Sequence, residues 1–260
     1  LVGVREVPDP ETDADLEPAD DRLVVDDVRF GYRAGRDVLH GIDLDVAPGE
    51  RLALVGPSGA GKSTLGRLMA GIYAPRTGTV EMGGAELARM PAESVRTQVA
   101  LVNQEHHVFV GTLRDNLLLA RPDADDDALI AALDAVDARP WYDELPEGLA
   151  TTVGQGGHAL APGQSQQLAL ARLVLADPHT LVLDEATSLI DPRTARHLEG
   201  SMAALLEGRT VIAIAHRLHT AHDADRIAVV IDGRIAELGS HVELLELGGE
   251  YARLWHTWRS

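Results

Sequence analysis

The sequence has 260 residues, of which 45% are hydrophobic and 25% charged, and this is sufficient for one large α/β domain with its own core. Because it contains no cysteine, a disulfide framework, a thiolate nucleophile and a cysteine-ligated zinc site are excluded. The net charge of −18, from 41 acidic and 23 basic residues, argues against a nucleic acid as the main ligand, since phosphate backbones favour basic surfaces.

The N-terminal part predicts a linker followed by antiparallel strands. Residues 1–20 mix prolines with acidic residues and offer little to bury, which is typical of a solvated linker. Leu23–Val25 and Val28–Phe30 are short strand-like runs. Asp43–Val46 alternates with period two, as a half-buried antiparallel strand does.

A strand, a glycine-rich loop and a helix come next. Arg51–Val55 is a compact apolar run, which favours a buried parallel strand. The run continues through Gly56–Thr64 into Leu65–Ala70, where apolar residues recur with a helical period.

The second half of the chain predicts further helices and strands. The acidic run Asp123–Asp127 precedes Leu129, Leu133 and Val136, and it indicates a helix N-terminus, where acids face the positive end of the dipole, rather than a metal site. The remaining predicted elements are a helix after Gly163, buried strands at Thr180–Leu183 and Thr210–Ala215, a hairpin of Ile227–Ile231 with Arg234–Glu237, and a helix-like tail at Val242–Trp258.

The glycine-rich loop has the pattern of a phosphate-binding loop, Gly56-x4-Gly61-Lys62-Ser63. Its glycines let several backbone N–H groups converge on one anion, and the following helix directs its positive end to the same place. Lys62, the only lysine in the sequence, adds a charge for the β- and γ-phosphates, and the Ser63 hydroxyl is a magnesium ligand. The loop alone leaves kinases, GTPases and ATPases open. The predicted nucleotide-binding residues of the loop are Gly56, Pro57, Ser58, Gly59, Ala60, Gly61, Lys62, Ser63 and Thr64.

Two acidic residues end the apolar strand that begins at Leu181. Asp184 is suited to hold Mg²⁺ through water. Glu185, the next residue, points to the opposite side of the strand and is suited to polarise an attacking water. Together with the loop, these carboxylates indicate nucleotide hydrolysis.

With these motifs in order, the sequence resembles the ATP-binding cassette (ABC) family from about Leu23 to Trp258. The resemblance implies that Tyr32 stacks on adenine and that Gln104 reaches magnesium and links to the membrane domain. It further implies that Asp191 lies in a loop crossing the dimer interface and that the switch residue His216 contacts the γ-phosphate.

The cofactors that the resemblance implies are ATP and Mg²⁺. Glu185 and His216 would be catalytic, and Ser63, Gln104 and Asp184 would surround the metal.

The implied fold is an α/β P-loop NTPase (RecA-like) core with an antiparallel β-subdomain and a helical subdomain. The core and β-subdomain are expected at about 21–103 and 177–248, the helical subdomain at about 104–176, and a C-terminal helix at about 242–258.

Several segments are similar to those of exporter-type cassettes, among them Phe109–Asn116, Thr152–Gly154 and Gly239–Leu245. In that architecture a transmembrane domain precedes the cassette in the same chain. The sequence, which starts at Leu1, is therefore expected to be a piece of a longer protein, with residues 1–20 as the junction. The expected location is the cytoplasmic face of the cell membrane, with membrane contact only through the transmembrane domains and no nucleic acid partner.

The family signature, Leu-Ser-Gly-Gly-Gln, is altered here to Leu160-Ala161-Pro162-Gly163-Gln164. In the family it grips the γ-phosphate bound by the opposite cassette, but Ala161 has no hydroxyl and Pro162 has no N–H. A nearby departure is Gln167, where the family usually has a base. The resemblance therefore implies a heterodimer in which a second half-transporter supplies an intact signature. A homodimer with a tolerated change, a regulatory module that does not turn over, and a soluble non-transport ABC ATPase stay open.

Overall fold

The computed structural model describes residues 13, 15–102, 107–184, 206–215 and 221–259. They divide into two compact units. The first contains the described residues up to Val102, together with 179–184, 208–215 and 221–259. The second contains 107–178 and 206–207.

The first unit is built from two sheets and their helices. Its strands are β1 (Leu23–Phe30), β2 (Leu39–Val46), β3 (Arg51–Val55), β4 (Thr77–Met82), β5 (Ala85–Glu86), β6 (Val99–Val102), β9 (Thr180–Asp184), β10 (Thr210–Ile214), β11 (Arg226–Ile231) and β12 (Arg234–Gly239). Its helices are α1 (Lys62–Met69), α2 (Ala92–Gln98), α7 (His241–Leu247) and α8 (Glu250–Arg259).

The larger sheet has the strand order β12-β11-β3-β10-β9-β6. Every neighbouring pair is parallel except β11 with β12. Its central strand β3 is buried from Leu52 to Val55, as the apolar run predicted, because helices cover both faces of a parallel sheet. The smaller sheet has the order β2-β1-β4-β5 and is antiparallel. The two sheets confirm the predicted α/β core with an antiparallel β-subdomain.

The predicted strands Leu23–Val25 and Val28–Phe30 form one strand, β1, rather than two. The register shifts between Val25 and Val28, and Asp27 has a φ of 38°. A bulge therefore bends the strand without ending it.

The described end of the N-terminal segment lies against the β-subdomain. Asp13 N donates to Arg89 O at 2.9 Å, Ala19 N donates to Gly83 O at 3.0 Å, and Leu16 packs against the core. These contacts attach residues that precede Leu23 to the β-subdomain, in a segment that the sequence predicted to be a solvated linker.

The second unit is the predicted helical one. Its elements are β7 (Gly111–Thr112), α3 (Leu113–Leu118), α4 (Asp126–Ala135), α5 (Arg139–Tyr142), a 3₁₀ turn at Gly148–Ala150, β8 (Thr152–Val153) and α6 (Pro162–Ala176). Asp125 caps α4 by accepting from Ala128 N at 2.9 Å, and Asp126 and Asp127 lie in the first turn. The acidic run is thus a helix cap, as predicted.

The C-terminal tail forms two helices, so the prediction of a single helix was wrong. Gly248 ends α7 with a φ of 67°, a left-handed conformation that favours glycine. The Glu237 carboxylate then accepts from Glu250 N and from Tyr251 N at 3.0 Å, and these bonds hold the start of α8 as a separate helix. Among the described residues, no helix is both long enough and apolar enough to cross a bilayer.

Candidate nucleotide site

The phosphate loop, Gly56–Ser63, runs from the carboxyl end of β3 into α1. Gly61 caps the helix with a φ of 103°, which L side chains rarely adopt, so this position requires glycine. The first turn of α1 contains no acidic residue, and the positive end of its dipole therefore stays available to an anion.

Lys62 lies within the curve of the loop. Its side chain is buried, and Nζ donates to Gly56 O at 2.8 Å and to Pro57 O at 2.9 Å. The ammonium group is therefore held beside the backbone of the loop rather than extended into solvent. This places its charge next to the N–H groups that the sequence predicts to bind phosphate.

Ser63 and Asp184 meet although they are far apart in the sequence. Ser63 Oγ donates to Asp184 Oδ1 at 3.2 Å, which joins the start of α1 to the end of β9. A hydroxyl and a carboxylate oxygen at this separation fit the ligand preference of Mg²⁺ for hard oxygen donors. Ser63 and Asp184, the two described residues of the predicted metal set, therefore lie together.

Tyr32 lies beside the same helix. Its hydroxyl is 3.1 Å from Thr64 Oγ1 and accepts from Arg67 Nη1 at 3.4 Å. The ring meets Phe30 edge-on at 5.2 Å and Tyr73 edge-on at 5.8 Å, and the residue is 51% exposed. An anchored, half-exposed ring next to the phosphate loop fits a base-stacking role.

The altered signature begins α6 in the second unit. Ala161 is the N-cap residue and Pro162 the first helical residue, so the N-cap has no side-chain oxygen and the first helical position has no N–H. Gln164 Oε1 accepts from Ala161 N at 2.8 Å, and this bond fixes the backbone at the turn. The structure therefore shows a capped helix with fewer polar groups than the Ser-Gly sequence would present.

Gln167, the other departure from the family pattern, has a structural role. Its Oε1 accepts from Trp141 Nε1 at 2.9 Å, and its Nε2 donates to Val136 O at 3.0 Å and to Asp137 O at 2.9 Å. The side chain therefore ties α6 to α5 and to the C-terminal end of α4.

Arg172 and Asn116 form a second network that sequence reasoning missed. Arg172 donates to His107 O and to Asn116 O, both at 2.7 Å, and its guanidinium lies 5.4 Å from the Phe109 ring centre. Asn116 in turn bonds both backbone groups of Phe109 at 2.9 Å. Burial lowers the pKa of Arg172. The one sequence signal was an arginine within the apolar helix that follows Gly163.

Four predicted site residues lie outside the described residues: Gln104, Glu185, Asp191 and His216. Their roles stay predictions. The described predicted residues form two groups, with Tyr32, the phosphate loop and Asp184 in the first unit and Leu160–Gln164 in the second.

Comparison with known proteins shows the family of the chain. Residues 39–188 match the family model described as ABC transporter. The chain belongs to the ABC transporter family. It corresponds to the ATPase domain of that family, which confirms the predicted family, P-loop fold and enzyme class.

The relatives that match this chain are larger proteins. An ATP-dependent lipid A-core flippase of Chromobacterium violaceum is 43% identical over 90% of this chain and 40% of its own length. The ABC multidrug transporter MDR2 of Trichophyton rubrum is 42% identical over 93% of this chain and 18% of its own length. A solved bacterial Atm1-family ABC exporter with ATP bound superposes with a TM-score of 0.82 at 37% identity, covering 100% of this chain and 45% of that one. The chain thus spans less than half of each.

Proposed function

We propose that this domain binds and hydrolyses ATP to power an exporter-type ABC transporter. The observation that carries the proposal is the assembly of the phosphate loop, buried Lys62 and the Ser63–Asp184 pair at one edge of the parallel sheet. The names of the relatives, which include a flippase, multidrug transporters and an exporter, support the transport role. These names differ in cargo, and we expect the cargo to be chosen by transmembrane domains outside this chain.

The predicted site residues of this chain have the following places in the proposed reaction. The loop N–H groups and Lys62 bind the β- and γ-phosphates, and Tyr32 stacks on the base. Ser63 and Asp184 would hold Mg²⁺, with Gln104 as a further ligand, and the ion when bound neutralises charge on the phosphates. Glu185 orients the water for in-line attack, and His216 contacts the γ-phosphate.

The altered signature supports a heterodimer. A signature acts on the nucleotide of the opposite cassette, and losing one preorganised donor near a developing charge costs about 10²–10³ in rate. Because Ala161 and Pro162 remove two donors, two copies of this chain would form two impaired sites. A partner with a full signature would complete the site built on Lys62, Asp184 and Glu185. The transmembrane domains would place this pair at the cytoplasmic face of the membrane.

ATP hydrolysis measured against protein concentration tests this function. We expect ATP binding with slow turnover by the chain alone, and cooperative turnover when a half-transporter with an intact signature is added. E185Q should retain ATP binding and lose turnover. Failure to bind ATP would refute the function, and rapid cooperative turnover by the chain alone would refute the heterodimer.

A regulatory module that switches on ATP without turning over is the second candidate, and the altered signature is the observation that favours it. Single-turnover hydrolysis with the intact-signature partner separates the two functions. A regulatory module leaves the bound ATP intact, whereas the proposed ATPase converts it to ADP.

A further inference from the structure

The turn between β11 and β12 contacts the phosphate loop. Asp232 and Gly233 form this two-residue turn with φ values of 46° and 72°, and Ile231 pairs with Arg234 across it. Gly233 N donates to Ala60 O at 3.0 Å. A hairpin distant in sequence is therefore bonded directly to the loop.

The other side of the turn is held by the start of β2. Gly233 O accepts from His40 N at 2.9 Å, and Arg234 Nη1 donates to His40 O at 2.7 Å. A Cβ on Gly233 would overlap Val38 O and lie 2.9 Å from His40 Cδ2. The turn thus fits between β2 and the loop only because residue 233 has no side chain.

This bond fixes a peptide plane inside the loop. In a planar trans peptide the C=O and the following N–H point in opposite directions. Since Ala60 O is directed at Gly233, the N–H of Gly61 is directed to the opposite side of the loop. Ala60 is buried, so rotating this peptide would leave its carbonyl without its bond to Gly233.

We propose that Gly233 is a positioning residue for nucleotide binding, because its bond to Ala60 aims the Gly61 N–H at the phosphates. The inference rests on the proposed function and deepens it. It names the element outside the phosphate loop that fixes one of the loop's donors.

The test compares G233A with G84A in this chain. Gly84 has a φ of 79°, close to that of Gly233, but a Cβ there would meet no atom within 4 Å. G84A therefore imposes similar backbone strain without displacing a neighbour. We expect G233A to weaken ATP binding about tenfold or more in calorimetry, the size expected for a misaligned bond to a charged group, and G84A to bind as the wild type does.

A further variant, G233N, separates strain from displacement. Asparagine tolerates a positive φ, but its Cβ would still overlap Val38 O. The proposal requires G233N to bind ATP as weakly as G233A. Wild-type ATP affinity in either Gly233 variant would overturn it, as would losses fully accounted for by the unfolded fraction in thermal melts without nucleotide.

R234A provides a milder variant, since Arg234 is exposed and its loss only loosens the turn from His40. We expect about threefold weaker ATP binding with an unchanged melting temperature. Should G233A not fold, wild-type affinity in R234A would overturn the proposal.

The failure of this proposal can be told apart from the failure of the proposed function. If the wild-type chain itself fails to bind ATP, the proposed function fails. If the wild type binds ATP and the variants bind equally well, only the role of Gly233 fails.

Discussion

Ser63 shows how a single residue combines local and distant contributions to the site. The phosphate-loop pattern places its hydroxyl at the start of α1, but only the fold brings Asp184 to within 3.2 Å of it. The pair provides oxygen donors of the type that Mg²⁺ prefers. The metal dependence of nucleotide binding is therefore the property that should respond first to changes here.

We predict that S63A weakens ATP binding in the presence of Mg²⁺ by about tenfold, because an oxygen donor to the ion is lost. With Mg²⁺ removed by chelation, the variant and the wild type should bind ATP with similar affinity. Calorimetry with and without Mg²⁺ measures both values. An equal loss under the two conditions would show that Ser63 acts on the phosphates directly and would contradict the metal role.

Gln167 gives a prediction for the second unit. Q167A removes an acceptor from Trp141 Nε1 and a donor from the carbonyls of Val136 and Asp137. We expect a loss of about 1–3 kcal/mol in the free energy of unfolding, because these groups lose their partners. Denaturant unfolding checks this value. Q166A makes the same chemical change next to this network and serves as the control, and an equal effect in both variants would argue against the network.

At the scale of elements, the tail is held by an aromatic and histidine cluster. Tyr251 and Trp255 of α8 pack in the core beneath the sheet, and His241 of α7 lies 4.4 Å from Trp255 between ring centres. His241 Nδ1 is 2.7 Å from the hydroxyl of Tyr251, whose pKa is raised by burial to about 12. Burial and the neighbouring His222 lower the pKa of His241.

This cluster predicts that the chain loses stability as pH falls. A lowered His241 pKa means that the unfolded chain binds more protons than the folded chain, so stability declines as pH falls below about 6.5, the ordinary histidine value. Thermal melts at pH 8 and pH 5.5 should show a smaller difference for H241Q than for the wild type. H158Q removes an exposed histidine from the other unit and is the control. Equal pH differences in all three proteins would refute the prediction.

At the scale of the whole molecule, the two compact units divide the proposed chemistry between them. The first contains the phosphate loop and Asp184, and the second contains the altered signature at the start of α6. In the proposed mechanism these regions act on different nucleotides of a pair of cassettes. We therefore expect the activity of the chain alone to be limited by the signature and not by the phosphate loop.

Restoring the signature should raise that activity. We predict that the double variant A161S/P162G increases steady-state ATP hydrolysis by the chain alone by at least about tenfold, since it returns a hydroxyl and an N–H. ATP affinity measured on the monomer should stay unchanged. A159S, which adds a hydroxyl outside the signature, is the control. Unchanged hydrolysis in the double variant would contradict the heterodimer argument.

Much of the candidate site was predictable from sequence because its signals are local. The glycines of the phosphate loop, the acidic cap of α4 and the apolar run of β3 each act through neighbouring residues, and the structure bears out these elements. Glycine at position 61 and aspartate at 125 specify their conformations within a few residues. The family resemblance added the order of the motifs and the subdomains.

Contacts between distant segments were decided only by the tertiary structure. Three sets of bonds join residues that no local pattern connects. They are the bond from Gly233 to Ala60, the side-chain bonds of Gln167, and the bonds to Glu237 that start α8. Sequence periodicity reports which face of an element is buried, but not which atoms meet it there. Those partners depend on strand order and packing, which arise only when the whole chain folds.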